Sequence, residues 1–273
     1  MSARIAIIGG TGVCDPSLLR NPKEQIVETP YGSVKVYLGN WGDREVVFSA
    51  RHGAGFAGRD KMHYIPPHRI NYRANIWALG ELGANRIIAT AATGSLNPQM
   101  EAGSLVLLTQ FIDFTKTRAA TFFDEGAVVH VDMTEPYCPE LRNALWPVIQ
   151  GETGPCFSEG TYACTEGPRF ETAAEIRAFK MLGTDLVGMT SVPEVVLARE
   201  MEICYAGIAI VTNMAAGIAA GKLTATEVEE MMATMVPKLI SVLEKTLSTL
   251  PRERSCACKT ALGAAEVKKA DKS

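Results

Sequence analysis

The sequence lacks two features that mark membrane proteins and nucleic-acid-binding proteins. No apolar run approaches the roughly 18 to 20 residues that a membrane-spanning helix needs, and the first residues, MSARIAIIGGTG, show no signal-peptide pattern. The formal net charge of -3 provides no general attraction to nucleic acid or to anionic membranes. We therefore predict a cytoplasmic protein without nucleic-acid or membrane partners, in which a few placed groups hold any small anionic ligand.

The chain also lacks a linker-like stretch and an internal repeat. Its composition, 47% hydrophobic and 21% charged, is typical of a globular protein. Helical and strand periodicities alternate along it, which is typical of an α/β fold. We expect a single domain over residues 1–250, with a central mixed β-sheet flanked by helices, and a polar surface tail over residues 251–273.

The predicted elements form two sets, separated by a loop-rich stretch. The first set comprises a strand at 4–8, a hairpin with strands 33–38 and 45–49, a helix at 68–82 and a strand at 86–92. The second comprises strands 160–165, 185–188 and 203–211 and helices 172–182, 192–200 and 225–247. Ser191 to Glu194 and Thr224 to Glu227 both fit the capping box, so we assign Glu194 to a helix start rather than to chemistry.

The seven cysteines are an odd number in a chain long enough to fold without disulfides. We expect reduced and mostly buried thiols. Cys256 and Cys258 lie in the polar tail, where a redox-labile pair, or a disulfide in a heat-adapted organism, is the alternative. No second Cys or His pair lies at ligand spacing, which argues against zinc, and we predict no metal site.

The glycine turn at 9–12 follows a strand and offers backbone N–H groups and the Thr11 hydroxyl to an anion. It is not a Walker loop, because no Gly-Lys-Ser/Thr follows, and the third glycine of a dinucleotide fingerprint is missing. A purely structural turn is the alternative.

Three further segments end strands with groups that suit an anion. Arg51 and His52 follow a strand, Ala91 and Ala92 form a small-residue turn, and Thr190 precedes a helix whose N-terminus is positive. Each has an ordinary alternative: a solvated arginine, a tight turn, or a hydroxyl that caps the helix. The segments gain weight only together.

Six sequence blocks resemble the trimeric purine nucleoside phosphorylase and methylthioadenosine phosphorylase family. The blocks are GGTG at 9–12, ARHG at 50–53, NYRANIWAL at 71–79, TEGPRFET at 165–172, MTSVPEVVLARE at 189–200 and VTN at 211–213. The resemblance covers about residues 3–250 in matching order. It implies the nucleoside phosphorylase fold, a homotrimer or a dimer of trimers, and phosphorolysis of a purine nucleoside, with inorganic phosphate as co-substrate and no cofactor.

The resemblance also implies roles for individual residues. The phosphate site would comprise Thr11, Arg51, His52, Ala91, Ala92 and Thr190. The nucleoside would contact Phe170, Glu171, Met189, Asn213, Met214, Ala215, Ala225 and Val228, with Phe170 against the purine and Met189 under the ribose. Asn213, Glu171 and His52 would act in catalysis.

Asn213 and Glu171 predict a 6-oxopurine such as inosine or guanosine. An amide accepts from N7–H through its oxygen and donates to O6 through its nitrogen, whereas the adenosine-type members place an acid there. An ionised carboxylate accepts from N1–H but repels the lone pair at N1 of adenine. A helix cap formed by Glu171 and Thr172 is the alternative.

The 5′ end of the sugar is ambiguous, because Ala225 stands where nucleoside-type members place a histidine. A small apolar lining accepts a methylthio group as readily as a hydroxyl. Phosphorylases of S-methyl-5′-thioinosine or S-methyl-5′-thioadenosine are therefore alternatives. A non-catalytic purine-binding sensor is another, although a sensor of the free base has no use for a phosphate site.

Three histidines carry weaker expectations. The resemblance would bring His63 near the ribose and His130 into a neighbouring subunit's pocket, while His68 would flank its helix. An ordinary surface or interface histidine is the alternative for each.

Overall fold

The computed structural model describes residues 4–53, 64–219, 221–263 and 266–269. These residues form five α-helices and thirteen β-strands. The helices are α1 (Tyr72–Glu81), α2 (Pro139–Gln150), α3 (Ala173–Met181), α4 (Ser191–Glu200) and α5 (Ala225–Thr249). The strands are β1 (Arg4–Gly9), β2 (Arg20–Thr29), β3 (Gly32–Trp41), β4 (Arg44–Ala50), β5 (Ala84–Ser95), β6 (Leu105–Leu107), β7 (Gln110–Asp113), β8 (Ala127–His130), β9 (Cys156–Phe157), β10 (Thr161–Cys164), β11 (Leu186–Gly188), β12 (Cys204–Met214) and β13 (Glu266–Lys269).

One mixed sheet of eleven strands organises the described chain. Its main path runs β2-β3-β4-β1-β5-β11-β10-β7, and β12 branches from β5 to carry β6 and β9. At its centre β4, β1, β5 and β12 are parallel, while β11 pairs with β5 in the antiparallel sense. The predicted class, a single α/β domain with a mixed central sheet, is confirmed.

Helices cover both faces of the sheet. Successive strand residues point to opposite sides, so a strand that is apolar throughout presents an apolar surface on each face for helices to bury. On β5, Ile87 packs in a core with residues of α1 and α4, and Ile88 packs in a second core with α2 and α5. Central parallel strands buried in this way read as continuous apolar runs. The sheet is thus the middle of three layers.

Two helix starts are fixed by reciprocal side-chain caps. At α5, Thr224 and Glu227 form a capping box, as the sequence predicts. At α3, Thr172 forms the same arrangement with Glu175. Because the Thr172 hydroxyl and the Glu175 carboxylate complete this cap, Glu171 is left out of it.

The predicted hairpin is confirmed, but the loop-rich stretch before residue 160 is not free of structure. β3 and β4 pair in antiparallel register, and β2 adds a third strand at the edge. The stretch also contains α2, which buries Leu141, Leu145 and Ile149 along one side. Apolar residues at this four-residue spacing are a helical signal that the sequence analysis missed.

The C-terminal tail is not the polar surface segment that the sequence predicts. Cys258 is buried in a short 3-10 turn (Ala257–Thr260), and β13 pairs with β8. The Glu140 carboxylate anchors the segment, because it accepts hydrogen bonds from the backbone N–H groups of Ser255 and Cys256 at 2.7 and 3.1 Å. Among the described helices, none has the length and apolar character that crossing a bilayer requires.

Candidate active site

A cavity of about 270 Å³ opens at the carboxyl ends of the central parallel strands. All the predicted site residues except Met214 line it: Thr11, Arg51, His52, Ala91, Ala92, Phe170, Glu171, Met189, Thr190, Asn213, Ala215, Ala225 and Val228. Met214 lines a neighbouring cavity instead. Asn213, Ala215 and Leu223 border both cavities, so Met214 lies next to the predicted site, and its role in binding the nucleoside stays a prediction.

The glycine turn after β1 packs tightly against the ends of β4 and β5. A Cβ at Gly9 would lie 1.7 Å from the carbonyl oxygen of Val13, and one at Gly10 would lie 2.9 Å from Arg51 Nη1. The Gly10 N–H donates to Thr90 Oγ1 at 3.0 Å. Only glycine permits these approaches, so the turn has a structural role and also brings Thr11 to the cavity wall.

Arg51 is buried rather than solvated. Its Nε and Nη2 donate to the Glu194 carboxylate at 2.5 and 2.9 Å, and its Nη1 donates to the Thr90 carbonyl at 2.8 Å. The Tyr205 hydroxyl donates to the same carboxylate at 2.7 Å. Burial by itself would lower the pKa of Arg51, but the Glu194 carboxylate outweighs it and the pKa is raised. The guanidinium is therefore a permanent cation in a fixed orientation.

Glu194 does not serve the capping role that its spacing predicts. Thr190 is the N-cap of α4 and its side chain makes no capping hydrogen bond, while Val192 has a non-helical backbone (φ -112°, ψ 130°). Glu194 is completely buried, and its partner Arg51 is 143 residues away in sequence. A capping pattern detects only local hydrogen bonds, which is why the sequence analysis missed this pair.

The start of α4 presents the Thr190 hydroxyl to the cavity. The Thr190 N–H donates to the Tyr162 hydroxyl at 3.2 Å, and the Ser191 hydroxyl pairs with that of Tyr137 at 2.7 Å. Hydrogen bonds to two buried tyrosines thus fix the backbone of Thr190 and the side chain of Ser191. The hydroxyl at the positive end of a helix is suited to an anion.

His52 is held as a neutral ring. Burial, and next the Arg51 cation, lower the pKa of His52 to about 4. Its Nδ1 lies 2.8 Å from the Ile65 carbonyl oxygen, and the ring stacks on Tyr64 with centroids 4.6 Å apart. Because a carbonyl only accepts, the proton of the neutral ring is on Nδ1 and Nε2 is left as an acceptor.

Glu171 and Phe170 also line the cavity. Glu171 accepts a hydrogen bond from the Thr165 hydroxyl at 2.6 Å, and burial raises the pKa of its carboxyl. Phe170 is 40% exposed. Since Glu171 takes no part in the capping box of α3, the helix-capping interpretation of this residue is excluded.

Asn213 lines the same cavity near the end of β12. Its Oδ1 accepts from the Thr212 hydroxyl at 2.8 Å, and its Nδ2 donates to the Met214 carbonyl at 3.0 Å. An amide oxygen has two lone pairs and an amide nitrogen two hydrogens. One acceptor and one donor function of Asn213 therefore remain for a ligand, in an orientation that local bonds set.

Several lining residues were not predicted from the sequence. Tyr64, Thr93, Leu223 and Glu229 all line the cavity. Leu223 immediately precedes the Thr224 cap, and Glu229 lies one turn into α5 beside Val228. For Leu223 and Glu229, closeness in sequence to the predicted residues Ala225 and Val228 was the one indication that they line the cavity.

The three further histidines do not join the described site. His63 lies outside the described residues. His68 belongs to a short 3-10 turn (Pro67–Arg69) just before α1, as a flanking residue would. His130 is exposed at the end of β8, and its predicted reach into a neighbouring subunit stays a prediction.

Comparison with protein-family models tests the family resemblance that the six sequence blocks indicate. The family model described as "Phosphorylase superfamily" matches residues 4–248. The chain belongs to the phosphorylase superfamily. The predicted family resemblance is thus confirmed, and so is the predicted enzyme class, a purine nucleoside phosphorylase of the pentosyltransferase type.

Proteins similar to this chain are named as phosphorylases of several different nucleosides. A probable 6-oxopurine nucleoside phosphorylase from Thermococcus kodakarensis is 56% identical, over 95% of this chain and 97% of the relative. A probable S-methyl-5′-thioinosine phosphorylase from Methanopyrus kandleri is 51% identical, over 96% and 99%. The solved methylthioadenosine phosphorylase from Schistosoma mansoni in complex with adenine is 34% identical, with a TM-score of 0.84 over 92% of this chain and 93% of that one.

Proposed function

We propose that this chain is a purine nucleoside phosphorylase that acts on the 6-oxopurine nucleosides inosine and guanosine. One observation carries the proposal: Glu171 and Asn213 line the same cavity as the buried Arg51 and the hydroxyls of Thr11 and Thr190. A base-reading pair and an anion site in one cavity match the two substrates of a phosphorolysis. The name of the Thermococcus kodakarensis relative supports the same substrate class.

The anion site binds and orients phosphate. Arg51 supplies the positive charge, and the Thr11 and Thr190 hydroxyls donate hydrogen bonds. The neutral His52 presents Nε2 as an acceptor, which suits the proton that monohydrogen phosphate carries near pH 7. The site thus selects an oxyanion that has both acceptor oxygens and one O–H donor.

In the reaction, a phosphate oxygen attacks the anomeric carbon while the bond from that carbon to N9 of the purine breaks. The electron pair of the broken bond goes to the purine, and the proton that monohydrogen phosphate carries reaches N7 through solvent, so the products are ribose 1-phosphate and the neutral free base. Positive charge develops on the sugar and negative charge on the purine. Groups that stabilise these charges more than the ground state accelerate the step.

Asn213 and Glu171 stabilise the leaving purine. The remaining acceptor function of Asn213 takes N7–H, and its remaining donor function binds O6. The Glu171 carboxylate accepts from N1–H. An adenine offers a lone pair at N1 and an amino group at position 6, so it mismatches both residues, and such mismatches of buried polar groups cost several orders of magnitude in rate.

S-methyl-5′-thioinosine is the second candidate substrate, because Leu223, Ala225 and Val228 give the cavity an apolar wall on the α5 side. Glu229 adds a carboxylate to the same wall, which suits a 5′-hydroxyl donor. We expect activity on both 5′-groups, with the preference set by this wall. We also propose a homotrimer or a dimer of trimers in the cytoplasm, with phosphate as co-substrate and no cofactor in the reaction.

The test is an assay of the purified protein with inosine, in the presence and absence of phosphate, that follows hypoxanthine and ribose 1-phosphate. We expect stoichiometric formation of both products only with phosphate, and much slower reaction of adenosine. Hypoxanthine formed equally well without phosphate would identify a hydrolase. No product from any purine nucleoside would favour the sensor.

A further inference from the structure

Four cysteine sulfurs from three distant parts of the chain converge away from the cavity. The cysteines are Cys138, Cys204, Cys256 and Cys258, and their Sγ atoms all lie within 4.8 Å of one another. Cys256 and Cys258 are the one close pair of cysteines in the sequence, which is why spacing argues against zinc. The fold supplies the second pair from residues 66 positions apart, a separation that spacing rules do not detect.

The geometry matches a tetrahedral metal site. Zinc binds four thiolates at about 2.3 Å, which places the sulfurs about 3.8 Å apart. The sulfurs of Cys204 and Cys256 lie 3.2 Å apart, and the others lie within the 4.8 Å limit. To surround one central ion, Cys204 and Cys256 have to move apart by about 0.6 Å and pairs more than 3.8 Å apart have to move closer, which are side-chain-sized adjustments.

The backbone that carries the four sulfurs is fixed by the fold. Cys138 is the N-cap residue of α2, and its N–H donates to the Tyr205 carbonyl at 2.8 Å. Cys204 begins β12. Glu140 holds the segment before Cys256, and Arg86 Nη2 donates to Glu140 at 2.8 Å. The site is therefore pre-formed in the folded chain.

The surroundings favour negative charge on the sulfurs. Arg199 Nη1 lies 3.7 Å from Cys258 Sγ, and Arg254 Nη1 lies 3.8 Å from Cys204 Sγ. The N-terminal end of α2, at Cys138, also favours an anion. A zinc ion with four thiolates carries a net charge of minus two, which two guanidinium groups balance.

We propose that, in its reduced form, the chain binds one zinc ion through Cys138, Cys204, Cys256 and Cys258. Cys138, Cys204 and Cys258 are buried and Cys256 is half-buried, so the coordination is closed and the site is structural rather than catalytic. The ion joins the C-terminal segment to α2 and to the first residue of β12. Binding of zinc displaces the four thiol protons to solvent.

The test measures metal content and thiol protection of the full-length chain, purified with a phosphine reductant and without chelators. We expect one zinc per chain by elemental analysis, a higher melting temperature with zinc than after chelation, and slow alkylation of four cysteines while zinc is bound. Cobalt in place of zinc should give the strong visible bands of a tetrahedral tetrathiolate complex. Cys256→Ser with Cys258→Ser should abolish these signals.

Cys156→Ser is the matched control, because Cys156 lies in β9 and outside the four-sulfur group. It should keep full zinc content and the cobalt spectrum. Zinc retained by the double variant would overturn the proposal. So would a reduced wild-type chain without zinc after exposure to equimolar metal, or four sulfurs that resist reduction and leave the chain lighter by four hydrogens, as two disulfides would.

Discussion

At the proposed phosphate end of the cavity, Arg51 and His52 are buried and bond to partners far away in sequence or in another loop. At the proposed base end, Phe170 is 40% exposed and, within the described part of the chain, the Asn213 side chain bonds to its sequence neighbours Thr212 and Met214. Because Arg51 and His52 are buried, we expect changes at the phosphate end to disturb both folding and binding. We expect changes at the less buried base end to alter selectivity at little cost in stability. Phosphate is common to the whole reaction class, while the base varies, so the division follows the chemistry.

The strongest test of this contrast is Glu194→Gln, which removes the charge that balances Arg51. Breaking one side of a buried ion pair costs about 3 kcal/mol of unfolding free energy, because the remaining charge is left without a counterion. Phosphate then serves as the counterion, so it should raise the melting temperature of the variant more than that of the wild type. Denaturant titrations and thermal scans with and without phosphate measure both effects.

Glu200→Gln is the matched control for that variant. Glu200 is a buried acid of the same helix, but it accepts from the Thr121 hydroxyl and the Phe122 N–H. It should lose less stability and show the wild-type response to phosphate. Equal losses and equal phosphate responses in the two variants would show that Arg51 does not depend on Glu194.

The next effect is the acid sensitivity that His52 introduces. The pKa of this histidine is about 6.5 in the unfolded chain and about 4 in the folded chain. As the pH falls, the unfolded chain therefore takes up the proton first. The associated stability is fully present above pH 6.5 and is lost as the pH falls toward 4, with a total of roughly 3 kcal/mol. Unfolding free energies measured between pH 7 and pH 4 should fall less steeply in His52→Gln.

The wild type, measured under the same conditions, is the reference for this variant. Comparison of the profiles isolates His52 from the acidic side chains that also titrate in this range. If His52→Gln follows the same slope as the wild type, the ring is not held neutral by burial.

At the base end, Asn213→Asp should change selectivity rather than stability. Loss of the donor to O6 should lower kcat/KM for inosine by about 100-fold, comparable to the removal of one transition-state hydrogen bond. The relative rate on adenosine should rise, because the acid accepts from its amino group. Asn71→Asp, which keeps the α1 cap outside the cavity, is the control; an unchanged inosine-to-adenosine ratio in Asn213→Asp would remove Asn213 from its role.

The smallest expected effect concerns Ala225, on the α5 side of the cavity. Ala225→His adds a partner for a 5′-hydroxyl and narrows the space for a methylthio group, so it should shift the kcat/KM ratio toward inosine over S-methyl-5′-thioinosine by roughly tenfold, the value of about one hydrogen bond. Thr226→His, next to it but outside the cavity lining, should leave the ratio unchanged. An identical ratio in both variants would place the 5′-group elsewhere.

The sequence was sufficient for those parts of the site that lie at the ends of strongly patterned elements. Arg51 follows a buried strand, Thr190 precedes a helix, and Asn213 closes a strand, so periodicity and strand direction bring them together. It was insufficient for Tyr64 and Glu229, which reach the cavity from a loop and from a helix side whose orientation depends on packing. The interpretation of Glu194 as a helix cap was wrong. The local sequence fits a capping box, and no local pattern indicates a partner as distant in sequence as Arg51.

The amino-acid sequence by itself determined the α/β class and the order of the main elements, because local periodicity is a property of short segments, and the resemblance of its six blocks to a known family supplied the groups that we propose for phosphate and a 6-oxopurine. Only the tertiary structure decided that Glu194 neutralises Arg51, that His52 is buried beside that cation, and that four cysteines meet at one point. Burial and charge pairing depend on residues far apart in the chain. Their energies therefore arise only when the sheet and its two helical layers assemble.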